Sequence, residues 1–421
     1  ITMKNHFRDD ASSFHVVSYN DDGTVKSITA NEGAPKVVLK RIMRDMDKAY
    51  YPTKTIVPST EIVQDRVSLE LFRGCIRGCR FCQAGILYRP VRERSLEHLV
   101  ELAQQLENTT GYEEISLSSL SSGDYTCLAE LIRELIRRLD EKHVSISLPS
   151  LRLDSVLKDS LEATQKEKKP SLTFAPEAGT QRLRDVINKG VTEEDLMSKV
   201  SDAFHGGWSS VKLYFMMGLP TETTEDLDGI ADLAKKVVDA YFAVPRGERA
   251  KGLRVVCSAS VFVPKPFTPF QWEPQDTQEM VREKQSHLRE KLHIKGVTFN
   301  YHESDLSYLE ACFARGDRRM GQVLLRAYQK GCMLDGWTEL FKYDMWREAF
   351  AELGIDPAFY AYRRREKDEI MPWDVIDCGV TKEFLWREKE KAEKAQTTKD
   401  CRKGCNGCGL QRFKGVCKYC G

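Results

Sequence analysis

Residues 73–90 read RGCIRGCRFCQAGILYRP and place Cys75, Cys79 and Cys82 in one short loop with no fourth cysteine nearby. Three thiolates at Cys-x3-Cys-x2-Cys spacing suit a soft metal centre that keeps one position open. A zinc ion that borrows a remote fourth ligand is the other reading of the spacing alone. Gly74 and Gly78 flank the cysteines and let the backbone wrap closely around whatever they hold.

Working outward from this loop, β-rich runs recur at about 67–71, 115–120, 144–148, 171–175, 210–217 and 254–262. Helical patterns separate them, the clearest being Leu128, Leu131, Ile132, Leu135, Ile136 and Leu139 at spacings of three and four. Six successive βα units predict a parallel sheet curling into an incomplete (β/α)6 barrel of the TIM type. In such barrels the active site is built from the loops after the strands. Here those loops carry the three cysteines, then Ser122-Gly123-Asp124, Ser150 and Arg152, Glu177, Gly218, and Val261 to Val263.

The whole chain has 421 residues, with 64 Lys and Arg against 63 Asp and Glu, so no global field draws it to nucleic acid or membrane. It begins at Ile without a signal-peptide pattern, and we expect a cytoplasmic protein that is part of a longer polypeptide. Eight of its 13 cysteines fall in two groups, 75/79/82 and 401/405/408/417/420; in a reducing compartment grouped thiols favour metal over disulfide. Cys127, Cys257, Cys312, Cys332 and Cys378 are scattered and read as small buried apolar residues.

The cysteine spacing, with Phe81 just before Cys82, resembles the signature of the radical S-adenosylmethionine (radical SAM) superfamily. The stretches RGCRFCQAG, YRPVRERS, SLPSLR, FAPEAGTQRLR, KLYFMMGLPTET and VFVPKPFTPFQW extend the resemblance from about residue 40 to 400. They are similar to a subgroup allied to cobalamin-binding radical SAM proteins. The resemblance implies a [4Fe-4S] cluster on Cys75, Cys79 and Cys82 with one iron open to SAM, and an electron donor of the flavodoxin or ferredoxin kind. By the same resemblance Asp124, with Ser122 and Gly123, would meet the SAM ammonium. Ser150 and Arg152 would meet its carboxylate or ribose, Glu177 a ribose hydroxyl or the ammonium, and Gly218, Val261 and Val263 would flank the adenine. Members usually carry an upstream cobalamin module; this chain has no Asp-x-His-x-x-Gly run, so cobalamin would come only from a domain outside it.

We divide the chain into an extension over 1–64, the barrel over 65–270, a mainly helical region over 271–390 and a cysteine-rich tail over 391–421. Residues 386–400 read as an exposed helix and linker, RGDRR at 315–319 as a salt-bridged helix boundary, and Arg363-Arg364-Arg365 as a solvated face. In the tail, Cys405-x2-Cys408-Gly and Cys417-x2-Cys420-Gly match two zinc knuckles, with Cys401 spare. Because Cys401-x3-Cys405-x2-Cys408 repeats the first spacing, a second iron-sulfur cluster is the rival. Lys403, Arg412, Lys414 and Lys418 interleave with Phe413 and Tyr419, a mix that suits RNA as well as solubility. The expected function is SAM cleavage to modify, conceivably by methylation, an RNA or protein substrate. Methylthiotransferase-like sulfur insertion is the alternative enzyme, and a silent RNA- or ribosome-binding protein the alternative of another class.

Overall fold

The computed structural model describes residues 14–31, 33–139, 144–147, 171–413 and 415–419. All six expected strands form: β1 (Val67–Glu70), β2 (Glu114–Ser118), β3 (Ser145–Ser147), β4 (Leu172–Glu177), β5 (Ser210–Met217) and β6 (Arg254–Val261). A seventh, β7 (Val297–Tyr301), lies parallel to β6, so the parallel layer runs past the boundary expected at residue 270. One sheet has the order β1-β2-β3, the other β4-β5-β6-β7, and every pairing within them is parallel.

Alternation along the strands sets the layers. On β5, Val211, Leu213, Phe215 and Met217 are buried against α5 (Glu193–His205) and α6 (Thr224–Ala243), together with Val255, Cys257, Ala259 and Val261 of β6. The opposite strand faces carry more polar groups: Ser68 and Ser116 lie side by side on β1 and β2, and on β5 and β6 Lys212, Tyr214, Ser258 and Ser260 share a face with buried Met216 and Val256. Tyr214 is 39% exposed on it. A second core joins β1 and β2 to α2 (Leu96–Thr110) and α3 (Leu128–Leu139), whose periodic leucines are buried as the pattern required.

Short helices complete the loops, α1 (Gln83–Leu87) after the cysteines and α4 (Gln181–Val186) after β4. Beyond α7 (Gln278–Lys291) come α8 (Ser304–Ala314), α9 (Met320–Gln329), α10 (Tyr343–Glu352), α11 (Pro357–Ala361) and α12 (Lys382–Glu393). The N-terminal extension is tied to this region: Arg319 donates to the Gly23 carbonyl at 2.9 Å, and Val38–Leu39 pairs with Ile376–Asp377.

Three expectations for the C-terminal half meet the structure differently. RGDRR is a helix boundary with an Asp317–Arg319 ion pair at 2.6 Å, as expected, but Arg315 is fully buried and donates to the Ala361 and Arg363 carbonyls. The arginine triplet is not a solvated face: Arg365 is buried and donates to the Arg315 carbonyl, while Arg363 pairs with Glu369 and Arg364 with Glu273. Nor is 386–400 an exposed helix with a linker, because Phe384, Leu385, Glu388, Lys389 and Ala392 form a buried face of α12. Charge-rich composition hid that face, since two of its five members are ionic. Of the scattered cysteines, Cys257, Cys312, Cys332 and Cys378 are buried and Cys127 half-buried.

Candidate functional site

The cysteine loop leaves β1 through Phe72 and Arg73, which pair antiparallel with Arg92 and Glu93 and so close residues 74–91 into a loop. Gly74 has φ +93° in the left-handed region, and a Cβ there would stand 2.4 Å from the Pro90 carbonyl oxygen. Gly78 is held by Asn188, whose side-chain amide donates to its carbonyl at 3.0 Å. The backbone therefore follows a path that a side chain at Gly74 would block.

Arg80, between Cys79 and Cys82, anchors the loop from behind. Its guanidinium is fully buried, pairs with Glu388 of α12 at 3.1 Å and donates to the carbonyls of Asp185, Val186 and Gln396. Burial pushes its pKa down, yet the arrangement satisfies the charge. Cys82 caps α1, its Sγ accepting from the Gly85 N–H at 3.3 Å.

Cys75, Cys79 and Cys82 are each half-buried. Burial, and next the adjacent Cys79 sulfur, push the Cys82 thiol above its ordinary value; the Gly85 N–H and Lys189 act in the opposite direction. Lys189 links the end of β4 to the loop, since it reaches both Glu177 and Phe81. Glu177 itself has φ +69°, a strained conformation for a non-glycine residue, and its carboxylate pairs with Lys189 at 2.9 Å. Lys189 also stands 5.9 Å from the Phe81 ring centre.

The loop after β2 meets the cysteine loop through Asp124. This carboxylate accepts from Arg77 through both oxygens, from the Ser121 hydroxyl at 2.7 Å and from Arg402 of the tail at 3.2 Å. Burial opposes its ionisation, but Arg77 and Ser121 hold the carboxyl below its usual range. Its oxygens are thus engaged within the chain. The Ser122 hydroxyl donates to the Leu117 carbonyl at 2.9 Å, so it too secures the turn.

Gly218 follows β5 with φ +80°, and its N–H donates to buried Glu222 at 2.9 Å; Lys284 bridges Glu222 and Asp276 beneath it. Val261 ends β6 inside the sheet-helix core, whereas the Val263 side chain packs among Leu309, Cys312 and Val323 of the helical region. Ser150 and Arg152 lie outside the described residues.

The tail docks on this loop. The Cys401 N–H donates to the Ile76 carbonyl at 3.1 Å, Thr398 N–H to the Asn188 side chain at 2.8 Å, and Lys418 pairs with Glu93 at 2.9 Å. Cys401, Cys405, Cys408 and Cys417 line one cavity together with Cys75, Arg89 and Leu410. Among the described residues no three His, Cys, Asp or Glu side chains converge on a single-ion position; this holds for both cysteine groups. Cys420 lies outside the described residues. Arg77, Lys189, Asn188 and Arg402 were missed by the sequence reading, because no motif spacing marks a residue whose role is to hold a neighbour.

The Radical SAM superfamily profile matches residues 69–234, which begin in β1 and include the cysteine loop. An uncharacterized protein of Methanocaldococcus jannaschii is 33% identical over 339 residues, covering 76% of this chain and 72% of its own. The chain belongs to the radical SAM superfamily. The threonylcarbamoyladenosine tRNA methylthiotransferase MtaB of Bacillus subtilis is 25% identical over 206 residues, 46% of this chain and 42% of that protein. The radical SAM methyltransferase TsrM of Kitasatospora setae, solved with cobalamin and a [4Fe-4S] cluster, aligns over 49% of this chain and 38% of its own, with 17% identity and a TM-score of 0.38.

As a radical SAM enzyme of TIM-type fold, the chain implies a [4Fe-4S] cluster, SAM and an electron donor. The residues present fit the cluster. Three half-buried cysteines on a loop whose glycine path excludes a side chain, with α1 capped by one of them, offer the soft donors that such a cluster takes. No helix among the described residues is long and apolar enough to cross a membrane.

Proposed function

We propose that this chain cleaves SAM reductively at a cluster held by Cys75, Cys79 and Cys82 and modifies a polar substrate inside the barrel. The observation that carries the reading is the meeting of the cysteine loop with the end of β4, where Lys189 pairs with Glu177 at 2.9 Å and stands 5.9 Å from the ring of Phe81, the residue before Cys82. When bound, the cluster and SAM supply a 5′-deoxyadenosyl radical, given one electron from a flavodoxin- or ferredoxin-like donor. The chain's own task is to orient and to exclude water. Glu177, strained and held by Lys189, would accept from a SAM hydroxyl or ammonium. Gly218, at φ +80° and with the Asp276 carboxylate 2.8 Å from where its Cβ would stand, would meet the adenine through its backbone, and the backbone from Val261 to Val263 would form the neighbouring wall.

Asp124 acts differently in our reading. With Arg77 and Arg402 on its oxygens it fixes the cysteine loop against the tail, and Ser122 and Gly123 shape the turn that carries it. Ser150 and Arg152 keep their proposed role at the SAM carboxylate or ribose. The strand faces that bear Ser116, Lys212, Tyr214, Ser258 and Ser260 suit a substrate with many hydrogen-bonding groups, such as a nucleoside or a peptide. MtaB's name makes tRNA the first substrate to try, and sulfur insertion or methyl transfer the first reactions. The tail's basic and aromatic residues support an RNA partner weakly, since Arg412 is paired with Asp377 and Lys418 with Glu93.

The test is anaerobic reconstitution followed by dithionite and SAM. Slow release of 5′-deoxyadenosine without substrate is expected, and Cys79→Ala or Cys82→Ala should abolish it. A reconstituted protein with full iron content that neither binds nor cleaves SAM would instead identify a binding protein with a structural cluster. Comparing modified nucleosides and peptides between deletion and parent cells then identifies the substrate.

A further inference from the structure

We propose that Cys401, Cys405, Cys408 and Cys417 hold an iron-sulfur cluster of their own, set directly against the cysteine loop. The proposal goes beyond the SAM-cleavage reading and stands independently of it. Sequence spacing pairs Cys405 and Cys408 with Cys417 and Cys420 and leaves Cys401 over. The fold brings Cys401 back in: its N–H donates to the Ile76 carbonyl, and it lines the same cavity as Cys405, Cys408 and Cys417, with Cys75 of the loop on the cavity's border.

Two further observations point to a ligand. Arg89 lines this cavity, is 4% exposed, and its Nη1 has no hydrogen-bond partner among the described residues. A buried guanidinium N–H left without an acceptor is costly, and the sulfides of an anionic cluster in this cavity would accept from it. The knuckle is also built: Gly407 N–H donates to the Cys405 Sγ at 3.4 Å, and Gly409 has φ +109° where a Cβ would stand 2.6 Å from Thr381. Thr381 in turn donates its N–H to the Cys408 carbonyl at 3.0 Å, fixing the knuckle to the start of α12.

A cluster fits better than one zinc ion for two reasons. Cys401, Cys405 and Cys408 repeat the x3, x2 spacing of the loop cysteines, and a cubane takes each thiolate on a separate iron, so its ligands surround a cavity rather than converge on a point. Four thiolates also leave no iron open. Such a site suits holding an electron, not binding a substrate, in contrast to the three-cysteine loop beside it.

The experiment uses the full chain carrying Cys75→Ala, Cys79→Ala and Cys82→Ala together, purified and reconstituted without oxygen, so that only the tail can hold a cluster. About four irons and four acid-labile sulfides per chain are expected, with cluster Mössbauer spectra. Adding Cys401→Ser or Cys417→Ser should remove them, while near-ultraviolet circular dichroism, sensitive to the Trp272–Trp386 pair under the tail, stays unchanged. One zinc and no sulfide overturns the proposal. So does iron that survives Cys401→Ser but is lost in Cys420→Ser. Failure of the preceding reading would look different: an intact tail cluster in the triple variant, and no loop cluster or SAM cleavage in the parent chain.

Discussion

Glu388 and Asp124 are the two carboxylates whose loss should be felt furthest from where they sit. Glu388→Ala leaves the Arg80 guanidinium buried without its counter-ion and should destabilise the apoprotein by about 3–5 kcal/mol in denaturant titrations. A change below about 1 kcal/mol would mean that the backbone carbonyls around Arg80 suffice. Asp124 gives a pH signature. Its folded pKa lies below the ordinary 3.8, so its contribution is complete above that value and disappears as pH falls through the lower folded value. Asp124→Asn should therefore cost roughly 1–3 kcal/mol at pH 7, and the gap from the parent chain should close in acid. A gap that stayed constant down to the acid transition would remove Arg77 and Arg402 from the account.

At the level of elements, the loop's path is decided by Gly74 more than by the cysteines. Gly74→Ala must move the backbone, because both its φ and the 2.4 Å approach to Pro90 exclude a methyl group. Gly111, the cap of α2, has a positive φ but open space around it, so Gly111→Ala should cost only about 1 kcal/mol of strain. We expect the first substitution to lower iron uptake at the loop severalfold and the second to leave it unchanged, as read by iron analysis of the reconstituted chains. Equal iron in both would show that the loop adapts. Alpha-helix α12 belongs to the same unit: Arg80 and Thr398 join it to the loop through Glu388, so residues far apart in sequence form one support.

For the molecule as a whole, the tail changes from an appendage into a wall of the cysteine loop. Deleting residues 400–421 removes the Cys401–Ile76 bond and the Arg402–Asp124 and Lys418–Glu93 pairs at once. The loop cluster should then bleach several times faster in air while uncoupled SAM cleavage persists under anaerobic conditions. Identical bleaching rates with and without the tail would show that it does not shield the loop. The same docking makes the chain's two cysteine groups neighbours, although more than 300 residues separate them.

Sequence alone determined the superfamily and the succession of strands and helices. Cys75, Cys79 and Cys82 lie within eight residues, and strand and helix periods are local, so both could be read from spacing and hydrophobic pattern. The six strands fell where the pattern put them, and the superfamily followed from the loop and its neighbouring motifs. Contacts between distant segments were not legible. Nothing in the spelling of Arg402 marks it as a partner of Asp124, nothing in WREKEKAEK marks Glu388 as the counter-ion of Arg80, and knuckle spacing left out Cys401, which the fold brings to the cavity wall. The physical reason is that a local pattern reports which face of an element is apolar, whereas the partner of a buried charge or thiol is fixed only when separate elements pack and water is excluded between them.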